Sequence, residues 1–425
     1  MSGKSRFNPG KSYRLLHYLN RQHSSPERAL LATLGCAGAM VVTGRSTLAR
    51  QLAREFWQDN FKDGLRRAHW YATRGWPGLG SPESDPFFCF SDGLSLSESR
   101  LVLAWVERRA EKLPSLETSN ARLVALAQIV HQAVKSGDQS SAENALSSFQ
   151  IQVDELLAAL TERRQQPEAA SGPGDPAQSS SERSGDFASA DAEVALKDVA
   201  TLLPLEKWHW TALSGTFLGI FRENDFLPHD FDIDLGLLAA QTDVETLQQR
   251  LRNSSDFESV GLSEQYRLHR KEDGLTIESL PVLVKAVHRN GIAVDFSLLY
   301  QENGVWWHGS MMHRWDHAPM DLISYELRGV SILGPRNGDR YLTEVYGDWR
   351  TPVKEFNCSS GRRNLVVVQN LLGVCLFLKR LTWHLGQGDV EGYDEVLEEL
   401  VQQSVLIKST DSEGTPQWTM NRRWP

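Results

Sequence analysis

Residues 214–236 read SGTFLGIFRENDFLPHDFDIDLG, and the end of that stretch decides how the surrounding chain folds. Asp230, Asp232 and Asp234 occupy alternate positions, with Phe231, Ile233 and Leu235 in the gaps. A period of two is the signature of a β-strand, whose side chains point to opposite faces at successive residues. One face then carries apolar groups into a core, and the other carries three carboxylates about 7 Å apart along the strand. Like charges so placed destabilise a sheet unless a cation sits among them. The triplet therefore reads as a site for a divalent metal. A polar strand edge or a structural calcium loop is the plainer alternative, and the neighbouring segments argue against it.

Upstream, SGTFLG supplies a small, glycine-containing turn in which backbone N–H groups and the hydroxyls of Ser214 and Thr216, beside Gly215, can approach phosphate oxygens. Downstream, PVLVKAVHRNGIAVDFSLLY reads as two strands around Asn290-Gly291, a strong hairpin signal. That hairpin lays Asp295 alongside a partner strand, where it can face the same cleft as the triplet. QENGVWWHGS repeats the hairpin signal at Asn303-Gly304. TDVETLQQRLRNS reads as a helix, with Thr242 and Glu245 in capping-box spacing.

The 425 residues suffice for two or three domains, and 40% hydrophobic with 23% charged residues describes an ordinary soluble chain. A net charge of −9 argues against nonspecific affinity for nucleic acid, though not against a nucleotide held locally. Cys36, Cys89, Cys358 and Cys375 show no metal-knuckle or disulfide spacing, which suits a reducing, cytoplasmic setting. The most apolar early run, residues 29–44, is short and rich in Gly and Ala, so a buried helix is expected there and no transmembrane segment. GAMVVTGRS (38–46) imitates a phosphate-binding loop but has five residues between its glycines and Arg45 in place of Lys.

Residues 1–164 read as a helical domain, with apolar residues at three- and four-residue steps in 45–61, 97–113, 118–134 and 142–164. Residues 165–191 are dense in Pro, Gly, Ser and Ala and read as a flexible linker. Residues 192–425 read as an α+β domain, a mixed sheet with helices against it and a helical tail. His308, His313 and His317 fall at spacings that suit a metal only within a helix, which Gly309 and Pro319 disfavour. Trp306, Trp307 and Trp315 suggest an aromatic surface instead.

The stretch from Gly215 to Asp234 resembles the signature of the LicD/fukutin family of phosphotransferases, with its nucleotidyltransferase fold. Gly215, Thr216, Leu218, Gly219, Arg222, Phe226, Pro228, Asp230, Asp232, Ile233 and Asp234 match it. His229 and Phe231 depart from it, and YLTEVYGDWRTP (341–352) resembles the family's closing motif. The resemblance implies transfer of phosphocholine, glycerol phosphate or ribitol phosphate from CDP-choline, CDP-glycerol or CDP-ribitol to a glycan hydroxyl, free or lipid-linked, with release of CMP. It implies Mg²⁺, with Mn²⁺ as the alternative, held by Asp232 and Asp234. Asp295 is a third ligand or the general base, and Asp230 supports the set. Ser214, Gly215 and Thr216 face the donor phosphates, and Arg222 is the candidate phosphate clamp because a guanidinium pairs bidentately with phosphate. The N-terminal helices are the candidate surface for acceptor or protein partner, at the cytoplasm or the inner membrane face. Nucleotidyl transfer and a non-catalytic docking role remain the rival readings.

Overall fold

The computed structural model describes residues 86–90, 94–165, 189–228, 230, 232–353, 358–359, 361–410, 412 and 414–425. The apolar run 29–44, the loop-like 38–46, the helix expected at 45–61, most of the expected linker (166–188), His229 and Phe231 lie outside them.

Three helices lead the described chain: α1 (Leu96–Lys112), α2 (Leu116–Ser136) and α3 (Gln139–Arg164). Ser95 and Ser115 cap α1 and α2 through capping boxes, and Asp138 caps α3, so polar side chains satisfy N–H groups that lack an intrahelical acceptor. Next come α4 (Ser189–Leu202), β1 (Thr211–Ala212), α5 (Ser214–Glu223), β2 (Asp232–Leu238) and α6 (Val244–Asn253). Five strands follow: β3 (Phe257–Lys271), β4 (Gly274–His288), β5 (Ala293–Glu302), β6 (Val305–Gly309) and β7 (Arg314–His317). After them run β8 (Leu322–Leu327), β9 (Val330–Pro335), α7 (Gly338–Tyr346) and β10 (Leu365–Val366). The chain closes with α8 (Leu371–Gln387), α9 (Val390–Gln402), β11 (Leu406–Thr410) and β12 (Pro416–Met420). The fold is α+β. No helix among the described residues is long and apolar enough to cross a membrane.

The chain divides into two units. Of the described residues, one unit takes 189–265 and 280–366, and the other takes 86–165, 266–279 and 367–425. In the first, strands run in the order β10-β7-β6-β5-β2-β1-β9-β8, with β4 on β5 and β3 on β4. β2 is parallel to β5, while β1 is antiparallel to β2 and parallel to β9. Ile233, Leu235 and Leu237 of β2 and Val294, Phe296 and Leu298 of β5 are buried together with Leu196 of α4, Phe217 of α5, Leu251 of α6 and Leu342 of α7. Each such side chain contributes roughly 1.5–3 kcal/mol on leaving water.

In the second unit, α2 packs between α1 and α3 and also against α8, with α9 on α8 and β12 on α3. Asn120 of α2 donates to Thr382 of α8 (3.2 Å), and Arg164 forks onto Asp394 (2.6 and 2.9 Å). The stretch 192–425, expected as one domain, is therefore shared between the units. The reason is the apolar wall of α8, where Leu372, Leu376 and Phe377 are buried and need a helical layer to cover them.

Two local details differ from the sequence reading. SGTFLG is not a loop but the first turns of α5, and the tight bend is confined to Leu213 and Ser214. The cap of α6 is Asp243, which accepts from the N–H groups of Glu245 and Thr246, while the Thr242 hydroxyl donates back to the Leu238 carbonyl.

Candidate active site

The period-two pattern places its residues as a strand requires. On β2, Ile233 and Leu235 are fully buried on the core side, and Asp232 and Asp234 share the other face with partial exposure. The parallel register sets Asp234 directly beside Asp295 of β5. One carboxylate oxygen from each of Asp232, Asp234 and Asp295 lies within 4.8 Å of the others. No other metal-competent trio of His, Cys, Asp or Glu occurs among the described residues.

Such crowding has an electrostatic cost. The Asp234 carboxyl is pushed well above the usual carboxylate range, first by burial and then by repulsion from Asp232, Asp230 and Asp295; Arg362 pulls the other way. Asp230 approaches from the loop before β2: a Cβ on Gly215 would stand 2.7 Å from its Oδ2. Only glycine at 215 leaves room for that carboxylate. The crowded, all-oxygen donor set fits a hard divalent ion such as Mg²⁺ or Mn²⁺.

Lys285 pairs with the trio, its Nζ 3.1 Å from Asp295 Oδ2. Its position follows from the hairpin loop. Gly291 has φ 90° and Asn290 does not have positive φ, so the loop takes three residues, 289–291, and Lys285 falls opposite Asp295. A two-residue loop would have set Lys285 opposite Phe296. The next hairpin does use two residues, with Asn303 and Gly304 at φ 50° and 80°.

The start of α5 faces this cluster. The Asp234 N–H donates to Thr216 Oγ1 (2.8 Å), which fastens the first turn of α5 to β2. Thr216 is fully buried, so its hydroxyl serves as a clasp. Ser214 holds the left-handed backbone conformation (φ 45°), a strained one for a side-chain-bearing residue. Its N–H donates to the Tyr341 hydroxyl (3.0 Å), and its Oγ accepts from Arg362 Nη2 (2.7 Å). Tyr341 is itself buried, and burial pushes its phenol up to about 12.

Arg222 is engaged elsewhere. Its Nη1 donates to the Trp349 carbonyl (3.1 Å) and its Nε pairs with Glu223 (2.7 Å). It therefore ties the end of α5 to the segment after α7. The three histidines do not converge either. His308 and His317 share a hydrogen bond (3.1 Å), whereas His313 lies between Ser310 and Ser359. Burial is the first cause holding both His308 and His317 well below the usual imidazole range, His317 at about 3.

Sequence reasoning missed Lys285, Tyr341 as a hydrogen-bond partner, and Arg362. Counting outward from a three-residue loop finds Lys285. Nothing in the spacing announces Arg362, which lies 148 residues beyond the serine it touches.

Residues 209–337 match the family model described as LicD/FKTN/FKRP, nucleotidyltransferase domain. No curated protein matches the chain. The matched stretch contains the carboxylate trio, Lys285 and the start of α5, and it ends before Tyr341 and Arg362. Folded around the carboxylates as described, that stretch is similar to the nucleotidyltransferase domain of the LicD/FKTN/FKRP family.

Proposed function

We propose that the protein is a divalent-metal-dependent phosphotransferase. It moves a phospho-substituent from a CDP-activated donor to a sugar hydroxyl of a glycan and releases CMP. The observation that carries this reading is the convergence of Asp232, Asp234 and Asp295 within 4.8 Å beside the start of α5.

Asp232, Asp234 and Asp295 would hold the ion, with Asp230 beside them at Gly215. When bound, a divalent ion supplies charge neutralisation for the phosphoryl oxygens of the donor. The chain's own groups do the rest. The Thr216–Asp234 clasp fixes the start of α5 against the carboxylates, so the two halves of the site keep one spacing. The first N–H groups of α5, at Gly215 and Thr216, have no intrahelical acceptor and favour negative charge. Asp295, steadied by Lys285, completes the ligand set or takes the proton of the attacking hydroxyl.

The test is incubation of the full-length chain with Mg²⁺ and CDP-choline, CDP-glycerol, CDP-ribitol or nucleoside triphosphates, labelled on both halves. CMP release with the phospho-substituent on the acceptor supports the reading; nucleotide appearing on the acceptor shows nucleotidyl transfer instead. Asp234→Asn should lower turnover at least about a hundredfold. Its melting temperature should hold or rise, because the change relieves repulsion without opening a cavity. Near-normal CMP release by that variant would remove Asp234 from the site.

A further inference from the structure

Arg362 is a buried cation whose hydrogen bonds are incomplete. Its residue exposure is 8%, and Nη2 donates to Ser214 Oγ at 2.7 Å. The guanidinium carbon lies over the Trp315 ring, 4.5 Å from its centroid. Nε and Nη1, also buried, have no hydrogen-bond partner among the described residues. A guanidinium carries five N–H donors and cannot escape the cost of burial by losing its proton. Leaving such donors without acceptors is expensive, so a native chain that keeps them has a use for them.

The surroundings say what would complete the group. Arg362 reaches the N-terminal residue of α5, where Gly215 and Thr216 present N–H groups without intrahelical acceptors. A helix start alone would not draw an anion here, since Asp230 already packs against Gly215. The guanidinium supplies positive charge on the side of Ser214. An anion seated between a guanidinium and a carboxylate-bound metal must offer oxygens to both, which a phosphate group does and a single carboxylate does poorly. Arg222 gives its Nη1 to the Trp349 carbonyl and its Nε to Glu223.

We infer that Arg362 is a phosphate-binding residue: its Nε and Nη1 receive non-bridging oxygens of a phosphate ester or diphosphate held between the start of α5 and the carboxylate trio. The residue lies outside the family match, and Ser214, strained and doubly held, is the piece that positions it. The inference rests on the phosphotransferase reading for the identity of the anion.

The test uses the full-length chain with Mg²⁺, and inorganic pyrophosphate as the probe. Calorimetry follows pyrophosphate binding to the wild type, Arg362→Met and Arg362→Lys, with Mg²⁺ titrated alone beside it. Arg362→Met should weaken pyrophosphate binding tenfold or more; a smaller loss overturns the inference, as does a wild type that binds no pyrophosphate. Mg²⁺ affinity should not fall, because removing a neighbouring cation cannot repel a metal. Pyrophosphate should raise the melting temperature of the wild type and leave that of Arg362→Met unchanged. A purely structural arginine predicts that pyrophosphate affinity, and the rise in melting temperature it brings, are kept in Arg362→Met. Should Arg362→Met fail to fold, Arg362→Lys decides: a loss of threefold or more supports the assignment, and a smaller one overturns it. The donor reading fails separately, if a wild type that binds pyrophosphate through Arg362 releases CMP from no cytidine donor.

Discussion

Two arginines at this site look alike in the sequence and differ in what their forks hold. Arg222 sits within a family-like signature, yet its donors go to the Trp349 carbonyl and to Glu223. Arg222→Met should therefore cost about 1–3 kcal/mol of stability, the worth of a charge-assisted hydrogen bond, and leave the donor KM within about twofold. Urea unfolding and steady-state kinetics on one preparation check both halves. The buried pair His308–His317 makes a different prediction. His317 has a folded pKa of about 3, depressed first by burial, against an ordinary value of 6.5. Above 6.5 both folded and unfolded chains leave it neutral, and stability is unaffected. As pH falls below 6.5 the unfolded chain takes a proton that the folded chain refuses, so stability declines down to about pH 3. At pH 5 the loss from this residue is about 2 kcal/mol. His317→Gln should flatten the fall in unfolding free energy between pH 6.5 and 5 by about one proton's worth, whatever it costs at pH 8. An unchanged slope would mean that His317 titrates normally.

At the scale of elements, alternation and turn chemistry were the most readable features. Asp232 and Asp234 alternate with Ile233 and Leu235, and that pattern alone orients β2. The helices at 96–112, 116–136 and 139–164 were legible from apolar steps of three and four. β3 was not, because FESVGLSEQYRLHRK mixes charged and apolar residues without a clean period. Nor was Arg362 recognisable, since a single arginine has no pattern and its partner is chosen by tertiary contact. The loop between β4 and β5 shows how much one residue decides. Gly291 at φ 90° makes the three-residue loop that sets Lys285 against Asp295. Gly291→Ala should destabilise the chain by about 1 kcal/mol, and Gly291→Asn by less, because Asn tolerates the left-handed region. Denaturant midpoints with an unchanged m-value are the measurement, and equal effects of Ala and Asn would argue against strain at this turn.

At the scale of the whole molecule, residues 367–425 pack with α1–α3 and not as an appendage of the sheet. A chain that begins near Asp191 therefore lacks the helices that cover Leu372, Leu376 and Phe377 of α8. Such a fragment should self-associate on size exclusion and bind an apolar dye, and co-expression with residues 86–165 should restore a soluble species. A monodisperse fragment 191–425 would refute this. The sheet has its own dependence on distant sequence. β1, two residues long, lies between β2 and β9, and the Thr211 hydroxyl donates to the Leu333 carbonyl 122 residues later. During synthesis at roughly 5–20 residues per second, β1 and β2 thus wait on the order of ten seconds for their outer neighbour. Through that interval the nascent chain exposes an unpaired strand edge beside a row of carboxylates. Like charges on that face would disfavour the approach of a second copy while the edge is still open.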